Sequence, residues 1–178
     1  MPRPASDKRA RLTAAAIDLT RTGGFDAATI ARIADAAQVP SGSVYYYFKT
    51  KDDVAAAVAT GIGHRLAESR AALPGDAREA LTGFLRSYLT EIEATVTDGT
   101  LLATASAVGS GDAHREALAW LQERFEALGF TAAAARARAL HLLAGVEGGA
   151  ALARALGEAE PLEREVAHLE RWVANAGT

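Results

Sequence analysis

Almost nothing in this chain alternates. A half-buried strand needs apolar and polar residues at a period of two, and β-branched residues are too scattered here to supply such a run. Ala, Leu, Arg and Glu dominate instead, and the apolar positions recur at intervals of three and four, the spacing that gathers them on one side of a helix. An all-α fold follows, in which each helix must bury its apolar side against another. With 178 residues, 49% of them hydrophobic, the chain has enough material for one or two domains with real cores.

The punctuation predicts about nine helices. Ser6 or Asp7 is placed to cap a first helix that turns Leu12, Ala16, Ile17 and Leu19 inward and ends at Gly23-Gly24, with Phe25 anchoring the turn. Thr29 caps a short second helix carrying Ile30, Ile33, Ala34 and Ala37, and Ser41, just after Pro40, caps a third. Thr50 and Asp53 have the spacing of a capping box for a long fourth helix that passes Ile62 and Leu66 towards Pro74. A fifth helix from Asp76 runs through Leu81, Phe84, Leu85, Tyr88 and Ile92. A broken, glycine-bounded segment spans Leu101 to Val108, and Asp112 caps a helix through Leu118, Leu121 and Phe125 that stops at Gly129. Thr131 opens the longest and most apolar helix, to about Leu156, and Pro161 sits in the first turn of the last.

The stretch "VPSGSVYYYFKTKDD", Val39 to Asp53, sets three tyrosines and a phenylalanine side by side in a chain with only 6% aromatic residues. Successive helical residues point about 100° apart, so Tyr45, Tyr46, Tyr47 and Phe48 cannot all enter one core. Two short helices joined by "AAQVPSG" fit a helix-turn-helix, whose second helix enters the major groove of DNA. Ile33, Ala34, Val39, Val44 and Phe48 then pack inward, leaving Ser41, Gly42, Ser43, Tyr45, Tyr46 and Tyr47 around the open sides. Outward phenols there reach phosphates, thymine methyls or sugars. Charge agrees with this. Up to Lys51 there are eight basic and four acidic residues, a balance of +4. The remainder has 11 basic and 18 acidic, a balance of −7, so a basic head precedes an acidic body.

The run "ATIARIADAAQVPSGSVYYYFKTKDDV" resembles the DNA-binding signature of TetR-family transcriptional regulators through Thr29, Ile33-Ala34, Ala37, Val39, Ser41-Gly42, Tyr45, Phe48 and Lys51. The resemblance implies a helix-turn-helix DNA-binding domain over residues 1–50 and a helical-bundle ligand-binding and dimerisation domain over 51–178. It sets Ser41, Gly42, Ser43, Tyr46 and Tyr47 against bases or nearby backbone, and Tyr45, Lys51 and Thr29 against phosphates. Two positions depart from the family's habit: Tyr47 stands where a histidine is frequent, and Pro40 where a small or polar residue is common. No Arg or Asn stands in the tyrosine helix to make a bidentate base contact.

The body, through "DGTLLATASAVGSGDAHREALAWLQERFEALG" and "ALHLLAGVEGGAALARALGEAEPLEREVAHL", resembles the LmrA/YxaF-like subgroup. That likeness implies a repressor released from a palindromic operator by a small hydrophobic or aromatic effector, held in the body beneath the fourth helix. Phe84, Tyr88, Leu101, Trp120, Leu121, His141 and Glu147 are then candidate lining residues. His141 and Glu147 stand out as polar groups on an otherwise apolar helix. The small residues Gly145, Gly149 and Ala153 recur every four positions, and with Val166, Leu169 and Val173 of the last helix they are expected to form a four-helix homodimer seam.

Other functions find little support. The chain has no cysteine, and no G-x-S-x-G, H-E-x-x-H, P-loop or dinucleotide-binding fingerprint occurs. His64, His114, His141 and His168 lack carboxylates at metal-ligand spacing, so no enzyme, metal site or cofactor is expected. A nonspecific nucleoid protein would be basic throughout. No apolar run approaches the roughly 20 residues that span a bilayer, and the start lacks a signal peptide's apolar region, so the expected location is cytoplasmic and no membrane partner is expected.

Overall fold

The computed structural model describes residues 5–176, with side chains from Lys8 onward, and these residues form α-helices, one 3-10 turn and no strand. The helices are α1 (Ala5–Gly23), α2 (Ile30–Ala36), α3 (Ser41–Tyr47), α4 (Lys51–Ala71), α5 (Ala77–Thr90), α6 (Ile92–Asp98), α7 (Leu101–Ala107), α8 (Asp112–Ala127), α9 (Ala132–Leu156) and α10 (Glu160–Ala174), with the 3-10 turn at Phe25–Ala27. The all-α expectation holds. One helix more than foreseen arises because α5 stops at Thr90 and Ile92, expected to continue it, opens α6.

Most terminal signals act as read. Thr29 accepts from the Arg32 N–H at 3.3 Å. Thr50 and Asp53 cap reciprocally: the Thr50 N–H donates to Asp53 Oδ2 at 3.0 Å, and the Asp53 N–H donates to Thr50 Oγ1 at 3.1 Å. Asp76 accepts from the N–H groups of Arg78 and Glu79, both at 2.9 Å, and Gly157 ends α9 at φ 70°. Ser41 stands one place inside the helix it was expected to cap, because Pro40 already occupies the capping position and its carbonyl accepts from the Ser43 N–H; Asp112 is likewise the first residue of its helix. Ser6 and Asp7 also lie within their helix, which is formed from Ala5; their side chains are outside those described.

The chain divides into two compact units. The first runs to Leu66 and takes in Leu101–Ala113; the second holds Ala67–Thr100 and the chain from His114 onward. In the first, Leu12, Ala16 and Ile17 of α1, Ile33 and Ala34 of α2, Val44 of α3, Phe48, and Val54, Val58 and Ile62 of α4 are all buried. A Cβ on Gly61 would come within 2.8 Å of the Ile17 and Thr13 side chains, so α4 lies tight against α1 there. This compact unit extends beyond residue 50 through the first four turns of α4 and takes in α7.

In the second unit α9 is central, packing on α10, α6 and α5. Gly145 and Gly149 face α10 of the same chain, where a Cβ on Gly149 would sit 3.1 Å from Glu165 Cβ and 3.5 Å from Leu162 Cα, and Ala153, one turn on, is buried. Val166, Leu169 and Val173 are buried in that same packing. The residues expected at a seam between two copies thus serve an internal one, since close approach of α9 and α10 needs small side chains whichever chain supplies the neighbour. The exposed side of α9 is a different one, carrying Leu140, Ala144, Gly148, Ala151, Leu152 and Ala155. Arg78 ties the end of α10 to α5, its guanidinium donating to the carbonyls of Val173, Ala174 and Ala176. By length and composition α9 is also one helix able to cross a bilayer, which qualifies the expectation that no segment approaches that length. Here its apolar residues Leu142, Leu143 and Val146 line the core.

Candidate functional site

The turn between α2 and α3 is built by backbone hydrogen bonds. The Val39 N–H donates to the Ala34 carbonyl and the Gln38 N–H to that of Asp35, both at 2.9 Å, which is a Schellman ending for α2. That motif needs a left-handed residue, and Gln38 adopts φ 54° where glycine is usual. Arg11 of α1 braces the bend by donating to the carbonyls of Ala37 and Gln38, a role the sequence reading missed. Val44 and Phe48 are buried, so α3 is pinned by its inner side and its orientation on α2 is set by the core.

What remains outside is the tyrosine face. Tyr45 is 58% exposed and Tyr46 78%, while Tyr47 is half-buried with its ring edge-on to Tyr46 at 5.0 Å. Ser41 and Gly42 are exposed in the first turn of α3 and Ser43 is half-buried. Thr29 is exposed at the start of α2. A Cβ on Gly42 would meet nothing within 4 Å, so no packing inside the chain requires glycine there. Gly42→Ala is accordingly expected to raise stability by about 0.5–1 kcal/mol, because alanine favours the helix, while weakening DNA binding. Urea unfolding and a binding titration on the same variant check both signs.

Lys51 is placed differently from a free cation. Its ammonium donates to the carbonyl of Phe25 at 2.8 Å and of Ala28 at 3.5 Å, and lies 4.4 Å from the centre of the Phe25 ring. It holds the 3-10 turn that leads into α2. Arg9 and Arg65, unforeseen as candidates, line an open groove between α1 and α4 that Tyr47 also borders.

In the second unit a separate cluster forms. Phe84 of α5 lies 5.6 Å from the Tyr88 ring and 5.8 Å from that of Trp120 on α8. The Tyr88 hydroxyl donates to Glu147 Oε1 at 2.7 Å, and that of Thr100 to Oε2 at 2.8 Å. Phe84, Tyr88, Trp120 and Glu147 are thus brought together, with Thr100 as a member the sequence reading missed. Leu121 is wholly buried in the core of this unit. His141 stands apart on the exposed side of α9, 4.9 Å from the Trp172 ring. Leu101 is half-buried at the start of α7, in the first unit. Among the described residues no group of His, Asp and Glu has the geometry to hold a metal.

Burial raises the pKa of Glu147 above the ordinary carboxyl value of 4.5, and the hydrogen bonds from Tyr88 and Thr100 and the charge of His114 only partly offset this. Burial likewise raises Tyr88 well above the ordinary phenol, reinforced by the Glu147 charge. A folded state that holds a proton more tightly than the unfolded chain is most favoured below the unfolded pKa and loses that advantage as pH rises through the folded one. Glu147→Gln removes the titration. The melting temperature of the variant minus that of the parent is expected to grow as pH is raised from 4.5 to 8, and a difference constant with pH would contradict the burial argument.

Residues 12–58 match the family model for bacterial regulatory proteins of the tetR family. Comparison with curated proteins by sequence finds no match. The whole chain is similar in fold to solved regulators. A transcriptional regulator from Rhodococcus sp. Rha1 is 25% identical with a TM-score of 0.72, covering 96% of this chain and 98% of that one. A TetR transcription regulator from Haloarcula marismortui is 22% identical with a TM-score of 0.76, over 96% and 98% of the two chains. One from Legionella pneumophila is 21% identical at 0.74, over 90% and 94%.

Proposed function

From a TetR-family DNA-binding domain at the N-terminal end and a TetR-regulator fold throughout, we propose that this protein is a sequence-specific transcriptional regulator. It acts in the cytoplasm as a homodimer, and not as an enzyme. It represses from a palindromic operator and leaves DNA when a small hydrophobic or aromatic molecule occupies the body, as the LmrA/YxaF-like resemblance implies. One observation carries most of this reading. The exposed large apolar side chains among the described residues fall in two places: Tyr45 and Tyr46 on α3, and Leu140, Leu152 and Leu156 on α9. Exposed apolar groups that cluster mark contact surfaces. A DNA duplex fits the first, where phenols adjoin a basic head, and a second copy fits the second, where leucines 48% and 57% exposed flank the small residues Ala144, Gly148 and Ala151.

The switch has a physical carrier in α4, one continuous helix whose residues to Leu66 belong to the first unit and whose last turn belongs to the second. A ligand acts on it only through unequal affinity for the DNA-bound and released arrangements. Two-fold symmetry sets the paired α3 helices in successive major grooves about 34–36 Å apart. Footprinting on the intergenic DNA upstream of the protein's own gene tests this: two half-sites one helical turn apart support the reading, and a continuous protection without symmetry sinks it. Operator binding that no compound relieves would leave a regulator without an effector.

A further inference from the structure

The tyrosine helix α3 is held unevenly along its length. Its buried side chains, Val44 and the capping Phe48, belong to the second half of the helix and its end. Ser41 and Gly42 are exposed and Ser43 is half-buried, so no buried side chain fixes the first turn. A seven-residue helix pinned towards one end is free to swing at the other. What sets the first turn is therefore the bend before it, where Ala37 is buried, Val39 half-buried, and Gln38 and Pro40 exposed.

That bend is not relaxed. Among the described residues Gln38 is the single non-glycine one at positive φ, 54°. Left-handed backbone is disfavoured for a residue with a Cβ and persists only where the surroundings over-determine it. Arg11 is such a determinant. α2 ends at Ala36, so the carbonyls of Ala37 and Gln38 lie beyond its ladder of N–H donors. Arg11, 26 residues before Ala37 and on another helix, donates to both from one terminal nitrogen. A cation at the carbonyl end of a helix is also favoured by the partial charge there.

We propose that Arg11 is a positioning residue for sequence recognition, one that fixes the angle at which Ser41, Gly42 and Ser43 meet the duplex without itself touching a base. The inference rests on the DNA-reading role of α3 proposed above. Hydrogen bonds to base edges weaken beyond about 3.2 Å, so a small swing of the first turn forfeits them. Attraction to the phosphates is long-ranged and tolerates the same swing. Loss of Arg11 thus lowers specificity more than it lowers affinity for DNA in general.

Arg11→Met keeps the apolar stem and removes the donors. Anisotropy titrations of the protein's own upstream duplex and of a random duplex of equal length, each at several salt concentrations, read the effect. The preference for the upstream duplex is expected to fall at least about tenfold, with random binding within about twofold of the parent and an unchanged salt slope. Arg11→Lys, which still brings an ammonium to the carbonyls but not the planar fork, should fall between Met and the parent. Loss of folded protein weakens binding to both duplexes alike and leaves their ratio unchanged, so the ratio separates positioning from stability. If Arg11→Met loses its helicity by circular dichroism, the same ratio is read from Arg11→Lys. A preference unchanged in both variants, equal weakening on both duplexes, or a salt slope lower by about one, which would make Arg11 itself a phosphate contact, would each overturn the proposal. The two readings fail apart. An upstream preference that survives in Arg11→Met keeps the regulator and removes the part of Arg11, whereas a parent that binds both duplexes alike removes sequence recognition itself.

Discussion

Replacing Leu140 and Leu152 together by glutamate is expected to turn the protein from a dimer into a folded monomer at micromolar concentration. Both leucines are about half exposed on the outer side of α9, while the core of the second unit lies on the opposite side, through Leu142, Val146 and Ala150. The substitution therefore leaves the internal packing alone and places like charges on the side where the second copy is proposed to dock. The consequence for DNA is larger than that for stability. Two linked heads gain roughly 10²–10⁴ in avidity over one without any new contact, so the monomer should lose at least about 100-fold in operator affinity. Light scattering reads the mass and circular dichroism the helicity. An unchanged dimer would move the interface elsewhere on the molecule.

The second large effect belongs to the tyrosines. Tyr46→Ala and Tyr47→Ala are each expected to weaken operator binding by about 10- to 150-fold, the range for losing a hydrogen bond to a charged group at about 1.5–3 kcal/mol. Because their rings touch edge-on at 5.0 Å, the double variant should lose less than the product of the singles. Helicity and dimer mass should hold, since α3 is anchored through Val44 and neither tyrosine is fully buried. Full affinity in both variants would leave the exposed phenols without a role in recognition.

How far the sequence went is instructive at particular residues. Local rules carried well: Thr29, Thr50 with Asp53, and Asp76 cap as their side-chain chemistry requires, and Val44 with Phe48 turn inward as helical spacing demands. Failures came where a local pattern has two tertiary uses. The glycine stripe of α9 signals close approach of a helix but not whose helix; here α10 of the same chain takes it, and the outward side of α9 had to be read from exposure. His141 and Glu147, six residues apart on one helix, looked alike as polar groups on an apolar helix, yet one is exposed beside Trp172 and the other is held by Tyr88 and Thr100. Arg11 and Lys51 gave no sequence sign of bracing, because a carbonyl acceptor can come from any residue that the fold brings near.

Recognition of a particular DNA sequence by the tyrosine face of α3 is open to a direct test. The measurement that tests it most directly is a fluorescence-anisotropy titration, at one fixed salt concentration, of the duplex upstream of the protein's own gene against a random duplex of equal length. Upstream binding at least about 10³-fold tighter than random is expected. Equal affinity for the two duplexes would contradict it.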